Sequence, residues 1–256
     1  MASGQLSRAE ALACAGCRHA CHVMLYCDTR TQLFGRIPIR HVVLMQMRFD
    51  GLLGFPGGLV NPSEETLEAG LSRELSEELG VALPISVEDH VDSCHAPSSS
   101  SSSRQLITHF YVKKMEEEQI REVEKAAAST ATDHGQEVMR PSRVTDCGDL
   151  PDLTLRLFPQ VLGMVRVPLY AMQGGDGGLA SFLSHSFIGN ARSQLIDSLL
   201  SLNLVSSAEL QKALANSLKI HENAAEDLRA ATETLLKLTC SGNKQFDPQQ
   251  HNPAHA

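Results

Sequence analysis

The 256-residue chain has no tryptophan, three tyrosines and eight phenylalanines. With so few rings it displays no basic, aromatic-rich stripe of the kind on which single-stranded nucleic acid stacks. Positive charge is also scarce. Twenty-two Lys and Arg stand against 30 Asp and Glu, a formal net charge of -8, which excludes a grip on nucleic acid spread over the whole surface. No run approaches the roughly 20 apolar residues that span a bilayer, so no membrane partner is expected. The opening stretch MASGQLSRAEALACAG lacks a basic front followed by an apolar run, so no signal peptide is expected either. Seven cysteines, an odd number at irregular spacing, read as reduced thiols. Cys14, Cys17, Cys21 and His22 have no matching second half, whereas a structural zinc needs four converging ligands.

The charge that is present is unevenly placed. Arg18, Arg30, Arg36, Arg40 and Arg48 face only Asp28 between positions 18 and 48, so an anionic ligand would be drawn to that side. HACHVMLYC (19–27) reads as a half-buried strand, and HVVLMQMRF (41–49), nearly continuous in apolar residues, as a central one. Further strands are expected at 85–94, 104–114 and 163–170. Turns are expected at GRIP (35–38) and GGDGG (174–178), and a flexible linker at SSSSSS (98–103). One helix starts near Asn61 or Ser63, with Glu64 placed as in a capping box. It carries Leu67, Leu71, Leu75 and Leu79 along one side and ends at Gly80. Other helices are expected at 115–128 and 186–202. An amphipathic helical extension occupies 206–242, residues 1–17 form a loosely attached lead, and 243–256 form a disordered tail. Strands alternating irregularly with helices predict an α/β chain, a mixed sheet sandwiched by helices.

One helical turn stands out. Glu74, Glu77 and Glu78 crowd the end of the 61–79 helix, where carboxylates oppose the helix dipole. Glu74 and Glu78 share a face, and like charges at that spacing destabilise a helix. At about 6 Å and an effective dielectric near 20, each pair repels by roughly 3 kcal/mol. Bound cations remove that cost, and Mg²⁺ or Mn²⁺ suit carboxylate and backbone oxygens. In the preceding GFPGG, two adjacent glycines let backbone approach a ligand, and the Gly57 carbonyl could complete a metal shell.

The stretch GG…RELSEELGV resembles the signature of Nudix hydrolases. Arg73, Glu74, Leu75, Glu77, Glu78, Gly80 and Val81 fit its second half in order. The first half is one residue too long, which leaves Glu64 and Glu65 as alternatives for its first glutamate. CRHACH (17–22), GRIP (35–38), LMQMRFDG (44–51), LGFPGG (53–58), RVPLY (166–170) and SFIGNARSQ (186–194) are similar to the branch that decaps snoRNA and hydrolyses inosine diphosphate. The likeness spans roughly 10–205, with 139–161 as an inserted loop.

The resemblance implies a Nudix α/β/α sandwich with a mixed β-sheet, here with a C-terminal helical extension. It implies Mg²⁺ or Mn²⁺, with Co²⁺ a further option, on Gly57, Glu74, Glu77 and Glu78. Arg73 would brace the glutamates, and Glu77 would be a ligand or the base for water. Glu137 is a second candidate base. His22, Arg48, Phe55 and Gln194 would bind substrate. The substrates implied are inosine and xanthosine diphosphates and the 5′ caps of snoRNA and mRNA, in a homodimer of the nucleus (nucleolus and nucleoplasm) and cytoplasm. Two alternatives stay open: an RNA- or protein-binding module without catalysis, and an ADP-ribose or dinucleotide hydrolase with no RNA role.

Overall fold

The computed structural model describes residues 4–96, 105–137, 161–170 and 178–242. In chain order these form β1 (Gln5–Leu6), α1 (Arg8–Ala13), β2 (Arg18–Asp28), β3 (Gln32–Leu33), β4 (Ile37–Arg48), β5 (Leu53–Gly54) and β6 (Gly57–Val60). There follow α2 (Leu67–Leu79), a 3-10 turn (Val87–Asp89), β7 (His90–His95), β8 (Leu106–Lys114), α3 (Glu117–Glu137), β9 (Val161–Tyr170), α4 (Leu179–Leu183), α5 (Ala191–Ser201) and α6 (Ser207–Gly242). The strand order is β1-β7-β8-β2-β4-β3, with β6 added to β2 and both β5 and β9 added to β4. β2 runs parallel to β8 and antiparallel to β4 and β6, so the sheet is mixed, as expected.

Side chains alternate across a strand, and β2 uses both faces. Met24 and Tyr26 join Val43, Met45, Phe55 and Phe110 in a core roofed by α4, α5 and the start of α6. Cys21, Val23, Leu25 and Cys27 join Val42, Leu44 and the α2 leucines in the other, which α3 also covers. Burial on both sides corrects the half-buried reading of 19–27. It also produces the sandwich of helices on each face of one sheet.

The helix before the carboxylate turn starts later than expected. Thr66 is its cap, the Oγ1 accepting from Ala69 N at 3.2 Å. Asn61 instead closes a separate turn, its carbonyl accepting from the Glu64 and Glu65 amides. Leu67, Leu71, Leu75 and Leu79 are all buried, and Gly80 ends α2 in the left-handed region at φ 68°. The segment 85–94 is a 3-10 turn followed by a strand, and of 186–202 only Ala191–Ser201 is helical.

The lead is not loose. β1 pairs with β7, and the Arg8 guanidinium donates to the Tyr111 hydroxyl at 3.0 Å and to Glu68 Oε2 at 2.9 Å. The serine linker, the body of the 139–161 segment, most of GGDGG and the tail from 243 lie outside the described residues. Glu137 closes α3, and its side chain is likewise outside them. Among the described residues no helix is long and apolar enough to cross a membrane.

Candidate active site

Gly57 is the point on which the site turns. It pairs with His22 across β2 and β6 and donates its amide to Glu78 Oε2 at 3.0 Å. Its φ is 133°, and a Cβ there would collide with the Cys21 carbonyl, so only glycine lets β6 approach β2 this closely. The same Glu78 oxygen accepts from Gln46 Nε2 at 2.9 Å. Two donors thus fix a half-buried carboxylate. Burial, set against those two bonds, raises its pKa above the ordinary glutamate value. Gln46 is buried in the otherwise apolar run VVLMQM. That lone polar side chain was the available sequence signal for this contact.

One helical turn back, Glu74 lies against Gly58, where a Cβ would clash with its carboxylate. Arg73 organises the outer rim. Its Nη1 meets Glu74 Oε1 at 2.7 Å and Glu77 Oε1 at 3.4 Å, while Nη2 and Nε grip the two oxygens of Glu65 at 2.8 and 3.3 Å. Glu65, whose pKa this fork lowers, is therefore the glutamate that answers Arg73, and Glu64 is exposed. The fork suits paired carboxylate oxygens as a lysine could not.

The three glutamates do not converge on one point. Among the described residues no three His, Cys, Asp or Glu side chains form a ready metal cluster. The cause is local: Arg73 holds Glu74 and Glu77 on the rim, Gln46 and Gly57 hold Glu78 inside, and the Glu77 side chain is 61% exposed. The donor set nevertheless fits a hard divalent ion. Glu74 and Glu78 are carboxylates on one helix face, and the gap left by the Gly57–Gly58 pair admits them beside backbone oxygen.

The proposed substrate ligands divide. His22 is partly buried, and its imidazole makes no hydrogen bond among the described residues. Desolvation, and then the nearby Arg48 cation, push its imidazole down to about 4, so it is neutral at physiological pH. Arg48 acts electrostatically on both His22 and Glu78, but its guanidinium is engaged by Asp50, Nη2 to Oδ2 at 3.0 Å. Phe55 is 4% exposed with its ring centroid 5.0 Å from that of Phe110, so it packs into the core beside the site. Gln194 is buried on α5. Its side-chain amide has no hydrogen-bond partner among the described residues. α5 is seated near the site because β5 holds the segment before it: Leu53 N donates to the Ser186 carbonyl and Ile188 N to the Leu53 carbonyl, both at 2.9 Å. A separate cleft of about 550 Å³ opens beside Arg73, lined by Cys17, Arg18, Asn61 and Glu65 among others. It includes neither His22 nor Glu78.

Sequence comparison agrees with this geometry. Residues 19–146 and 157–205 match the family described as "Nudt16-like: U8 snoRNA-decapping enzyme-like". The chain is 42% identical over 212 residues to the U8 snoRNA-decapping enzyme of Xenopus laevis, covering 83% of this chain and 88% of that protein. It is 44% identical over 195 residues to the Mus musculus protein of that name, covering 76% and 87%. It is also 38% identical over 229 residues to the Tudor-interacting repair regulator protein of Homo sapiens, covering 89% and 95%. The chain belongs to the Nudt16-like family and is a Nudix hydrolase.

Proposed function

We propose that the protein hydrolyses phosphoanhydrides in inosine and xanthosine diphosphates and in the 5′ caps of snoRNA and mRNA. The products are a nucleoside monophosphate or a 5′-monophosphate RNA end. One observation carries this reading: a half-buried carboxylate, Glu78, fixed by the Gly57 amide and Gln46 one helical turn from the Arg73-braced Glu74. Glu74, Glu78 and the Gly57 carbonyl would hold Mg²⁺, Mn²⁺ or Co²⁺, with Glu77 as a further ligand or as the base. Such an ion neutralises charge on the pyrophosphate and acidifies a bound water. Neutral His22 hydrogen-bonds the purine edge, and Gln194 supplies its side-chain amide to base or ribose. Arg48 exchanges Asp50 for a phosphate, a trade of one anion for another. A homodimer acting in the nucleolus, nucleoplasm and cytoplasm completes the proposal.

The test is turnover of inosine diphosphate, ADP-ribose and capped RNA with Mg²⁺ or Mn²⁺, beside Glu78→Gln. The expected result is hydrolysis of inosine diphosphate and capped RNA that falls by about 10³-fold or more in the variant. The metal-induced rise in melting temperature should be lost with it. Equal turnover in both proteins removes Glu78 from the mechanism. Turnover of ADP-ribose alone removes the RNA role. The 38% identity to a protein named for a Tudor interaction favours a second reading, a binding protein without catalysis. That reading predicts no turnover of any substrate by either protein.

A further inference from the structure

The distal part of α6 serves no function described so far and lies beyond the family match, which ends at residue 205. Through residue 217 the helix is seated, with Leu210 and Ala213 in the core beneath α4 and α5 and Ser217 buried beside them. From Leu218 onward that cover ends: Leu218, Leu228, Leu235 and Leu236 are 58–69% exposed. At about 100° per residue, the apolar residues of 218–236 other than Ala230, together with His221 and Thr232, fall within an arc of about 160°. All six charged residues, Lys219, Glu222, Glu226, Asp227, Arg229 and Glu233, fall on the other half. A helix wetted on every side has no need of such segregation. An isolated stretch of about five turns is also marginal in water. The stripe is built to be covered.

We propose that it is covered by the same stripe of a second copy, running antiparallel. The charges select this occupant. Arg229 and Glu233 lie on the same edge of the stripe, one turn apart, yet they close no ion pair with each other. A two-fold axis near residue 231 sets Arg229 beside the partner's Glu233 and Glu233 beside the partner's Arg229. It also places Leu228 opposite the partner's Leu235, twice. A parallel pair would instead stack His221 on the partner's His221 and crowd two globular bodies at one end, because residues 207–217 are fixed to the body. The antiparallel pair keeps the bodies at opposite ends of a shared arm about 28 Å long, at 1.5 Å rise per residue.

Sedimentation of the full chain over a concentration series tests this, with circular dichroism to confirm equal helix content in each sample. Leu228→Asp and, separately, Leu235→Asp should each raise the dissociation constant by at least about tenfold. Arg229→Glu leaves four acids facing one another across the axis, and Glu233→Arg four bases. Each alone should weaken self-association by about tenfold. An equimolar mixture of those two variants should return to within about threefold of the native constant, because each supplies the charge the other lacks. A native chain that sediments like Leu228→Asp throughout overturns the proposal. So does a mixture no tighter than its components, which is the result expected if the pairing is parallel or if the body alone dimerises.

Discussion

Helices α2 and α6 carry the same sequence signature, leucine at helical spacing against charge, and meet opposite fates. In α2 the four stripe leucines are 0–1% exposed, and the acidic face is tied down by Arg73, Gln46 and the Gly57 amide. In the distal half of α6, Leu228 is 69% exposed, and Arg229 and Glu233 make no ion pair with each other. Amphipathic periodicity reports which face of a helix is to be covered, and is silent about what covers it. The partner of α2 lies in the same chain, as β2, β4 and α3. The strained carboxylates of α2 are tolerable because the fold surrounds them with donors. Those of α6 are tolerable because water does.

The largest expected effect separates the two helices directly. Leu75→Ala removes side-chain volume from a sealed core and should cost about 2–5 kcal/mol in urea unfolding. Leu228→Ala, measured at a concentration where the chain is monomeric, should stay within about 0.5 kcal/mol. Similar losses in both would mean that the distal part of α6 packs against the body after all, and the contrast would fail.

A second test asks how far the body depends on groups held neutral in its interior. Burial pushes His109 down to about 3 and His22 down to about 4. His109 is fully buried, bonded to His19 Nδ1 at 2.9 Å and to Ser93 Oγ at 2.8 Å. Both folded values lie below the ordinary histidine value of about 6.5. The unfolded chain therefore binds protons that the folded one refuses. Stability is unaffected above pH 6.5 and declines as pH falls from there toward 4 and 3. By pH 5 the loss is on the order of 2 kcal/mol per histidine. Denaturant midpoints at pH 7, 6 and 5 would check it. A flat profile across that window, with loss only below pH 4.5, would assign the acid sensitivity to carboxylates instead.

What the sequence made legible follows the range of each interaction. The apolar runs of β2 and β4, the leucine stripe of α2, its glycine stop and the crowded glutamates are local patterns, and each was readable in place. The start of α2 was misplaced because Asn61, Ser63 and Thr66 are all competent caps, and only the tertiary position of the 61–65 turn makes Thr66 the one used. The anchoring of the lead by Arg8 to Glu68 and Tyr111 joins positions 60 and 103 residues apart, beyond any periodicity. Phe55 was named by resemblance alone, because a loop aromatic gives no sign in the sequence of which way it points, and it packs inward onto Phe110. The choice between Glu64 and Glu65 was settled by the reach of Arg73.

The smallest effect concerns how the two helices end. α6 runs on to Gly242, whereas α2 stops one residue after Leu79, at Gly80, whose amide donates to the Ser76 carbonyl at 3.0 Å and whose φ is 68°. A Cβ in that conformation costs about 1 kcal/mol, so Gly80→Ala should lower stability by about that much without disturbing the buried leucines. The strain falls on the last turn, the turn that carries Glu77 and Glu78, and fraying there loosens the hold of Glu78 on the Gly57 amide. The half-saturating concentration of Mg²⁺ or Mn²⁺, followed by thermal shift, should therefore rise a few-fold, while Gly80→Asn, better tolerated at left-handed φ, recovers most of the loss. Equal metal affinity in all three proteins would show that the stop shapes the helix and leaves the carboxylates where they are.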